Sequence, residues 1–170
     1  MPGSSSPAVT VYIGLGSNLE NPIQQVKTAL IALNKIPKTT LTNHSSLYQT
    51  KPMGPKKQSD YINSVAELST ELSALILLEQ LQRIENCQGR VRKSEQWGPR
   101  TLDLDLLLFA NQVISSPRLT VPHYGMKERL FVLLPLIEIA PTLKLPDNSL
   151  LSHLVKNLAT SHSSQEILKL

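Results

Sequence analysis

Apolar and polar positions along the chain change period several times. Residues 8–15 form a β-rich apolar run that ends in Gly14-Leu15-Gly16-Ser17-Asn18, the pattern of a strand entering a turn. Pro22 follows, where the first turn of a helix accepts proline. Ile23, Val26, Leu30 and Leu33 then recur at helical spacing and predict an amphipathic helix over 22–36. Residues 41–50 and 61–70 read as two strands. The link between them is rich in Pro, Gly and Lys, the composition of a candidate functional loop. A second helix is predicted over 73–87, with Leu75, Leu78, Leu81, Gln82 and Ile84 marking its inner side. Residues 101–109 are the strongest strand, and 126–134 read as a short helix carrying into Pro135. The order is strand, helix, strand, strand, helix, strand, then helices and turns. That order predicts an α+β fold, a ferredoxin-like sandwich on a mainly antiparallel sheet. One domain over 9–160 is expected, with a flexible tail at 1–8 and a polar, fraying tail at 161–170.

Composition narrows this picture. With 170 residues, 41% of them hydrophobic, the chain can bury one substantial core, which excludes dominant disorder. A net charge of +4 suits an anionic partner without choosing among nucleotide, phosphorylated metabolite and nucleic acid. Cys87 is the sole cysteine, so no intrachain disulfide can form. Residues 1–8 lack the basic start and apolar stretch of a signal peptide, and no apolar run approaches the roughly 18 residues of a membrane span. A cytoplasmic protein is expected, and the Asn43-His44-Ser45 sequon is expected to carry no sugar.

The alternating segment Thr101-Leu102-Asp103-Leu104-Asp105-Leu106-Leu107-Leu108-Phe109 is the most informative. In a strand, Leu102, Leu104, Leu106 and Leu108 share one face and Asp103 and Asp105 the other, with backbone positions about 6–7 Å apart. The pair reads either as two solvated aspartates on a half-exposed strand or as ligands of a hard divalent cation such as Mg²⁺.

The setting favours the cation. Immediately upstream, residues 89–100 carry Arg90, Arg92, Lys93 and Arg100 against a single Glu95, with Trp97 among them. Guanidinium groups match phosphate oxygens, and an indole can cover a heteroaromatic ring. A third cluster, residues 118–129, holds Arg118, His123, Tyr124, Lys127 and Arg129. Within it His123 is a better candidate than His44, His153 or His162. No glycine-lined phosphate loop, dinucleotide fingerprint, His-Glu-x-x-His zinc site or nucleophile elbow is present in the sequence. Direct transfer between two bound substrates therefore fits better than covalent catalysis.

The strings Gly16-Ser17-Asn18-Leu19, Arg83-Ile84-Glu85, Gly89-Arg90-Val91-Arg92, Trp97 through Asp105 and Val121-Pro122-His123-Tyr124, in that order over about residues 10–150, resemble the 6-hydroxymethyl-7,8-dihydropterin pyrophosphokinases. The resemblance implies an α/β/α sandwich acting as a monomer. It implies transfer of the diphosphoryl group of ATP to the pterin alcohol with two Mg²⁺ ions, yielding AMP and the pterin diphosphate for folate synthesis. Nucleic acid and membrane are not expected as partners. By resemblance, Asp103 and Asp105 hold both metals, and Arg90 and Arg92, with Trp97, belong to a mobile catalytic loop. Gln82, Glu85, Arg92, Trp97, Arg100, Leu106, Arg118, Thr120, His123, Tyr124 and Arg129 form the ATP site. Thr50, Met53, Tyr61, Asn63, Trp97, Asp103 and Phe131 form the pterin site.

The sequence departs from the family pattern at Lys51, where a small apolar residue or Pro is usual, and at Gly125, where Asp is expected. Lys56 and Lys57 also make the 51–60 loop more basic. The end of the chain soon after the matched region is expected to leave no room for a fused partner enzyme. Three other readings carry distinct tests. An RNA-binding module on the same sheet is disfavoured by an aromatic content of only 4%. A regulatory nucleotide-binding domain predicts no AMP, and a γ-phosphoryl kinase predicts ADP.

Overall fold

The computed structural model describes residues 7–19, 21–51, 60–89, 102–161 and 166–170. Its elements follow in the order β1 (Val9–Ser17), α1 (Pro22–Leu33), β2 (Thr39–His44), β3 (Tyr48–Thr50), β4 (Tyr61–Thr70), α2 (Ala74–Cys87) and β5 (Asp103–Phe109). Then come β6 (Ile114–Ser115), β7 (Thr120–Val121), a 3-10 turn (Met126–Glu128), α3 (Leu130–Ile139), α4 (Leu151–Ser161) and β8 (Ile167–Lys169). The main sheet runs β5-β1-β4-β3-β8, with β2 also paired to β4, and every pairing is antiparallel. Helices α1 and α2 cover one face and α3 and α4 the other. This is the expected ferredoxin-like α/β/α sandwich.

Several local expectations change. Gly14 and Gly16 do not end the first strand, because β4 and β5 pair on both sides of β1 through Ser17 and Gly16 respectively and satisfy its backbone. The strand expected over 41–50 divides in two. Buried Ser45 lies at the break; its N–H donates to Val65 O and its hydroxyl accepts from Val65 N–H, so side chain and main chain together replace ladder bonds. Helix α1 buries Val26, Ala29, Leu30 and Leu33 while Ile23 stays exposed. Ser73 caps α2, its hydroxyl accepting from Ile76 N–H at 3.3 Å. That helix buries Leu77, Leu81 and Glu85, whereas Leu75 and Gln82, expected inside, face outward. Helix α3 starts later than expected and continues through Pro135 to Ile139. The buried Pro135 ring removes one helical hydrogen bond without ending a helix already held against the sheet.

Strand β5 carries the decisive irregularity. Its register against β1 moves from Leu106↔Ile13 to Leu108↔Tyr12, which leaves Leu107 as an extra, bulged residue. Leu102, Leu104 and Leu106 pack in the core under α1 and α2, as the alternation predicts. After the bulge the phase reverses: Leu107 and Leu108 enter the second core under α3 and α4, and Phe109 returns to the first. Leu108 therefore does not share a face with Leu104. Residues 161–170, expected as a fraying tail, instead include β8, which lies along the open edge of β3.

Candidate functional site

The site is built on the sheet face under α3. Asp103 and Asp105 lie opposite Gly16 and Gly14 of β1, and Gly16 lies in turn opposite Asn63 of β4. Directly opposed residues share a face, so Asp103, Asp105 and Asn63 point to the same side. Between the carboxylates and Asn63 the central strand offers only hydrogen atoms. The two glycines read from the sequence as a turn are the bare floor of a cleft. A β-carbon at Gly16 would come within 3.2 Å of Asn63 Oδ1. The period-two pattern of β1, with glycine in both positions of one face beside a carboxylate strand, is the signal that would have found this floor.

Hydrogen bonds fix the walls. Buried Asn63 donates from Nδ2 to Thr50 Oγ1 at 3.0 Å. Tyr61 stands opposite Thr50 on that same face, and Phe131 enters from the first turn of α3. On the other side of the sheet, buried Glu85 accepts the Leu104 N–H at 2.8 Å and so ties α2 to the peptide between the two aspartates. Glu85 was expected to complete an ATP site; its observed contact with β5 positions the carboxylate strand.

The bulge reaches the next element. Leu107 O accepts the His123 N–H at 3.0 Å, which docks the loop after β7 beside the carboxylates. His123 Nδ1 accepts the Gly125 N–H at 3.2 Å, so the ring proton resides on Nε2. Burial lowers the His123 pKa; Asp105 opposes this and Arg129 adds to it, leaving a neutral ring with one N–H to offer. His123 stacks on exposed Tyr124 with centroids 4.7 Å apart. The Arg129 guanidinium carbon lies 6.0 Å from the Tyr124 ring centre and 5.9 Å from that of Phe131, a cation between two aromatic faces. Gly125 makes this possible, since a β-carbon there would meet the guanidinium at 3.0 Å.

The remaining candidates gather along the outer edge of β5 or lie elsewhere. Arg118 is exposed and pairs with Glu79 of α2 at 3.5 Å; Thr120 and Gln82 are exposed. Leu106 is only 3% exposed and its side chain belongs to the core. Strand alternation turns its main-chain groups to the same edge as the Leu104 N–H. Met53, Arg90, Arg92, Trp97 and Arg100 lie outside the described residues.

The fold and the cleft define an α/β/α protein with two carboxylates on one face of its edge strand, beside a floor of glycine. Residues 12–141 match the 7,8-dihydro-6-hydroxymethylpterin-pyrophosphokinase family. The chain is 53% identical over 151 residues to the 2-amino-4-hydroxy-6-hydroxymethyldihydropteridine pyrophosphokinase of Haemophilus influenzae, covering 89% of this chain and 94% of that one. It is 52% identical over 145 residues to the corresponding Pseudomonas aeruginosa enzyme, covering 85% and 89%. Among solved structures it is similar to wild-type Plasmodium falciparum HPPK-DHPS, with a TM-score of 0.71 and 15% identity over 93% of this chain and 46% of that one. A second HPPK-DHPS structure, in complex with substrates, gives a TM-score of 0.72 at 13% identity over 92% of this chain and 44% of that one. This chain thus spans less than half of those longer polypeptides, and the likeness to them is one of fold. The chain belongs to the 7,8-dihydro-6-hydroxymethylpterin-pyrophosphokinase family.

Proposed function

We infer that the chain transfers the β,γ-diphosphoryl group of ATP to the hydroxymethyl oxygen of 6-hydroxymethyl-7,8-dihydropterin, a step of folate biosynthesis. The observation that carries this reading is the bare floor at Gly14 and Gly16, with two carboxylates on one side and the Asn63 carboxamide on the other. That arrangement separates a charged pocket for phosphates from a polar and aromatic pocket for a flat heterocycle.

The chemistry is an in-line displacement. The pterin oxygen bonds to the β-phosphorus as the bond from that phosphorus to the α,β-bridging oxygen breaks. AMP leaves with that oxygen, and the hydroxyl proton passes to solvent. Positioning and charge neutralisation dominate such reactions. Asn63 offers its carboxamide to the polar edge of the pterin, in a pocket completed by Thr50, Tyr61 and Phe131. Met53 and Trp97 join this pocket on the strength of the sequence motif alone.

Asp103 and Asp105 fit magnesium. They are hard oxygen donors, half-buried on one face, and among the described residues they join no cluster of three or more His, Cys, Asp or Glu. Water and phosphate oxygens are the natural remaining ligands, as Mg²⁺ prefers. Two bound Mg²⁺ ions would neutralise phosphate charge and favour attack at phosphorus. His123 donates from Nε2 and Arg129 supplies positive charge to the triphosphate, with Tyr124, Arg118, Thr120, Gln82 and the Leu106 backbone along the nucleotide edge. Arg90, Arg92 and Arg100 complete the charge in the proposal by motif. We read the protein as a cytoplasmic monomer acting on small molecules, without nucleic acid or membrane. Among the described residues no helix is long and apolar enough to cross a membrane.

Product identity tests the reading. Incubation with ATP, Mg²⁺ and the pterin alcohol, followed by ³¹P NMR, should show AMP rising in step with a pterin diphosphate. ADP would replace this reading with γ-phosphoryl transfer. ATP binding without turnover would point to a regulatory domain.

A further inference from the structure

We propose that β8 is a positioning element of the pterin pocket, a role that rests on the assignment of Asn63 to that pocket. The sheet contains one continuous cross-strand row: Lys169 of β8, Tyr48 of β3, Asn63 of β4, Gly16 of β1 and Asp103 of β5. The outermost strand is therefore in register with the cleft. Strand β3 has only three residues, and its two paired neighbours are β4 and β8. A strand this short, paired on one side alone, is poorly fixed. Yet Thr50, its last residue, accepts the hydrogen bond that orients the Asn63 carboxamide.

Both ends of β8 are fastened where this matters. At one end Glu166 pairs with Lys51, adjacent to Thr50, at 3.1 Å; both side chains are exposed, so this pair contributes little by itself. Lys51 is one of the residues that depart from the family pattern. At the other end Leu170 N–H donates to Leu47 O at 2.9 Å. There Lys169 Nζ approaches Glu138 Oε1 of α3 at 3.9 Å, and the same oxygen accepts the Tyr48 hydroxyl at 2.6 Å. Glu138 Oε2 also accepts the Ser46 N–H and hydroxyl. The segment 46–50 is thus held by helix α3 and strand β8 together. Main-chain bonding recurs at alternate positions of an antiparallel pair. The bond at Leu170↔Leu47 therefore places Leu168 N–H opposite Gln49 O.

Two variants test the strand without touching the cleft. One chain ends at residue 165. The other carries Leu168→Pro, which deletes one ladder donor at a side chain that is 61% exposed, with Leu168→Ala as its control. With loss of orientation at Asn63, the pterin KM should rise about tenfold in both, with the ATP KM within about twofold of the parent and Leu168→Ala silent. Amide exchange at Gln49 and Thr50 should quicken in the same two variants. An unchanged pterin KM in either folded variant, or an equal rise in both KM values, overturns the proposal. Asn63→Ala in the full chain separates the premise from the inference. If it leaves the pterin KM unchanged, the pocket assignment fails and the proposal falls with it. If it raises that KM while the strand variants do not, only the role of β8 is lost.

Discussion

Asp103 and Asn63 stand on the two sides of Gly16, in a row that crosses three strands. Strand spacing places their backbones about 9–10 Å apart with no side chain between them. That gap is wide enough for two substrates to meet over the sheet, and it exists because the middle strand carries glycine at 14 and 16.

Filling the gap should therefore separate binding from folding. Gly16→Ala should fold, since the backbone there is ordinary strand, but its methyl group would press on Asn63 Oδ1 from 3.2 Å. Asn63 is restrained by Thr50 and has little room to yield. The pterin KM should rise several-fold, on the order of tenfold. Gly14→Ala meets Leu107 at an ordinary 3.4 Å and should be much milder. Steady-state kinetics on the two variants makes the comparison.

Removing either carboxylate should abolish metal-dependent turnover. Asp103→Asn and Asp105→Asn keep the side-chain volume and remove the charge, and each should lower kcat by about a hundredfold or more. Titration of activity with Mg²⁺ should show a weakened metal requirement curve in whatever activity is left. Retention of full Mg²⁺-dependent turnover in both variants would sink the metal assignment.

Glu85 should act through the strand. Glu85→Ala leaves the buried Leu104 N–H without its acceptor and should destabilise the fold by about 1–3 kcal/mol. Glu85→Gln retains an acceptor oxygen and should recover much of that loss. Urea unfolding of both variants, read beside kcat, checks whether activity follows the hold on β5.

Acid should loosen the α3 side of the sheet through Glu138. Its burial favours the neutral acid, but hydrogen bonds from Tyr48 and Ser46 and the charge of Lys169 outweigh this, and the pKa falls below the ordinary 4.5. For a carboxylate with a depressed folded value, the stabilisation is complete above 4.5 and is lost as pH falls through the folded value. The melting temperature of Glu138→Gln should therefore lie below the parent at neutral pH and converge with it as the pH falls from 4.5 through the depressed folded value. Parallel curves at all pH values would contradict this linkage.

The sequence by itself determined the order of the larger elements from β1 to β5 apart from the division of 41–50, the strand limits 61–70, the placing of Asp103 and Asp105 on one face, and the family. These follow from local periodicity and from motifs only a few residues long. The tertiary structure decided the rest because each feature depends on a partner distant along the chain. Glycines at 14 and 16 become a floor only when β4 and β5 close on both sides of β1. The Leu107 bulge, invisible in a run of leucines, arises from register against β1; it sends Leu108 to the second core and presents the carbonyl that docks His123. Resemblance places Glu85 in the ATP site, but its bond to the Leu104 N–H becomes visible only when α2 packs on β5. Residues 166–170, Glu-Ile-Leu-Lys-Leu, are too few for a local pattern to mark them as a strand; they become one by pairing along the edge that β3 offers.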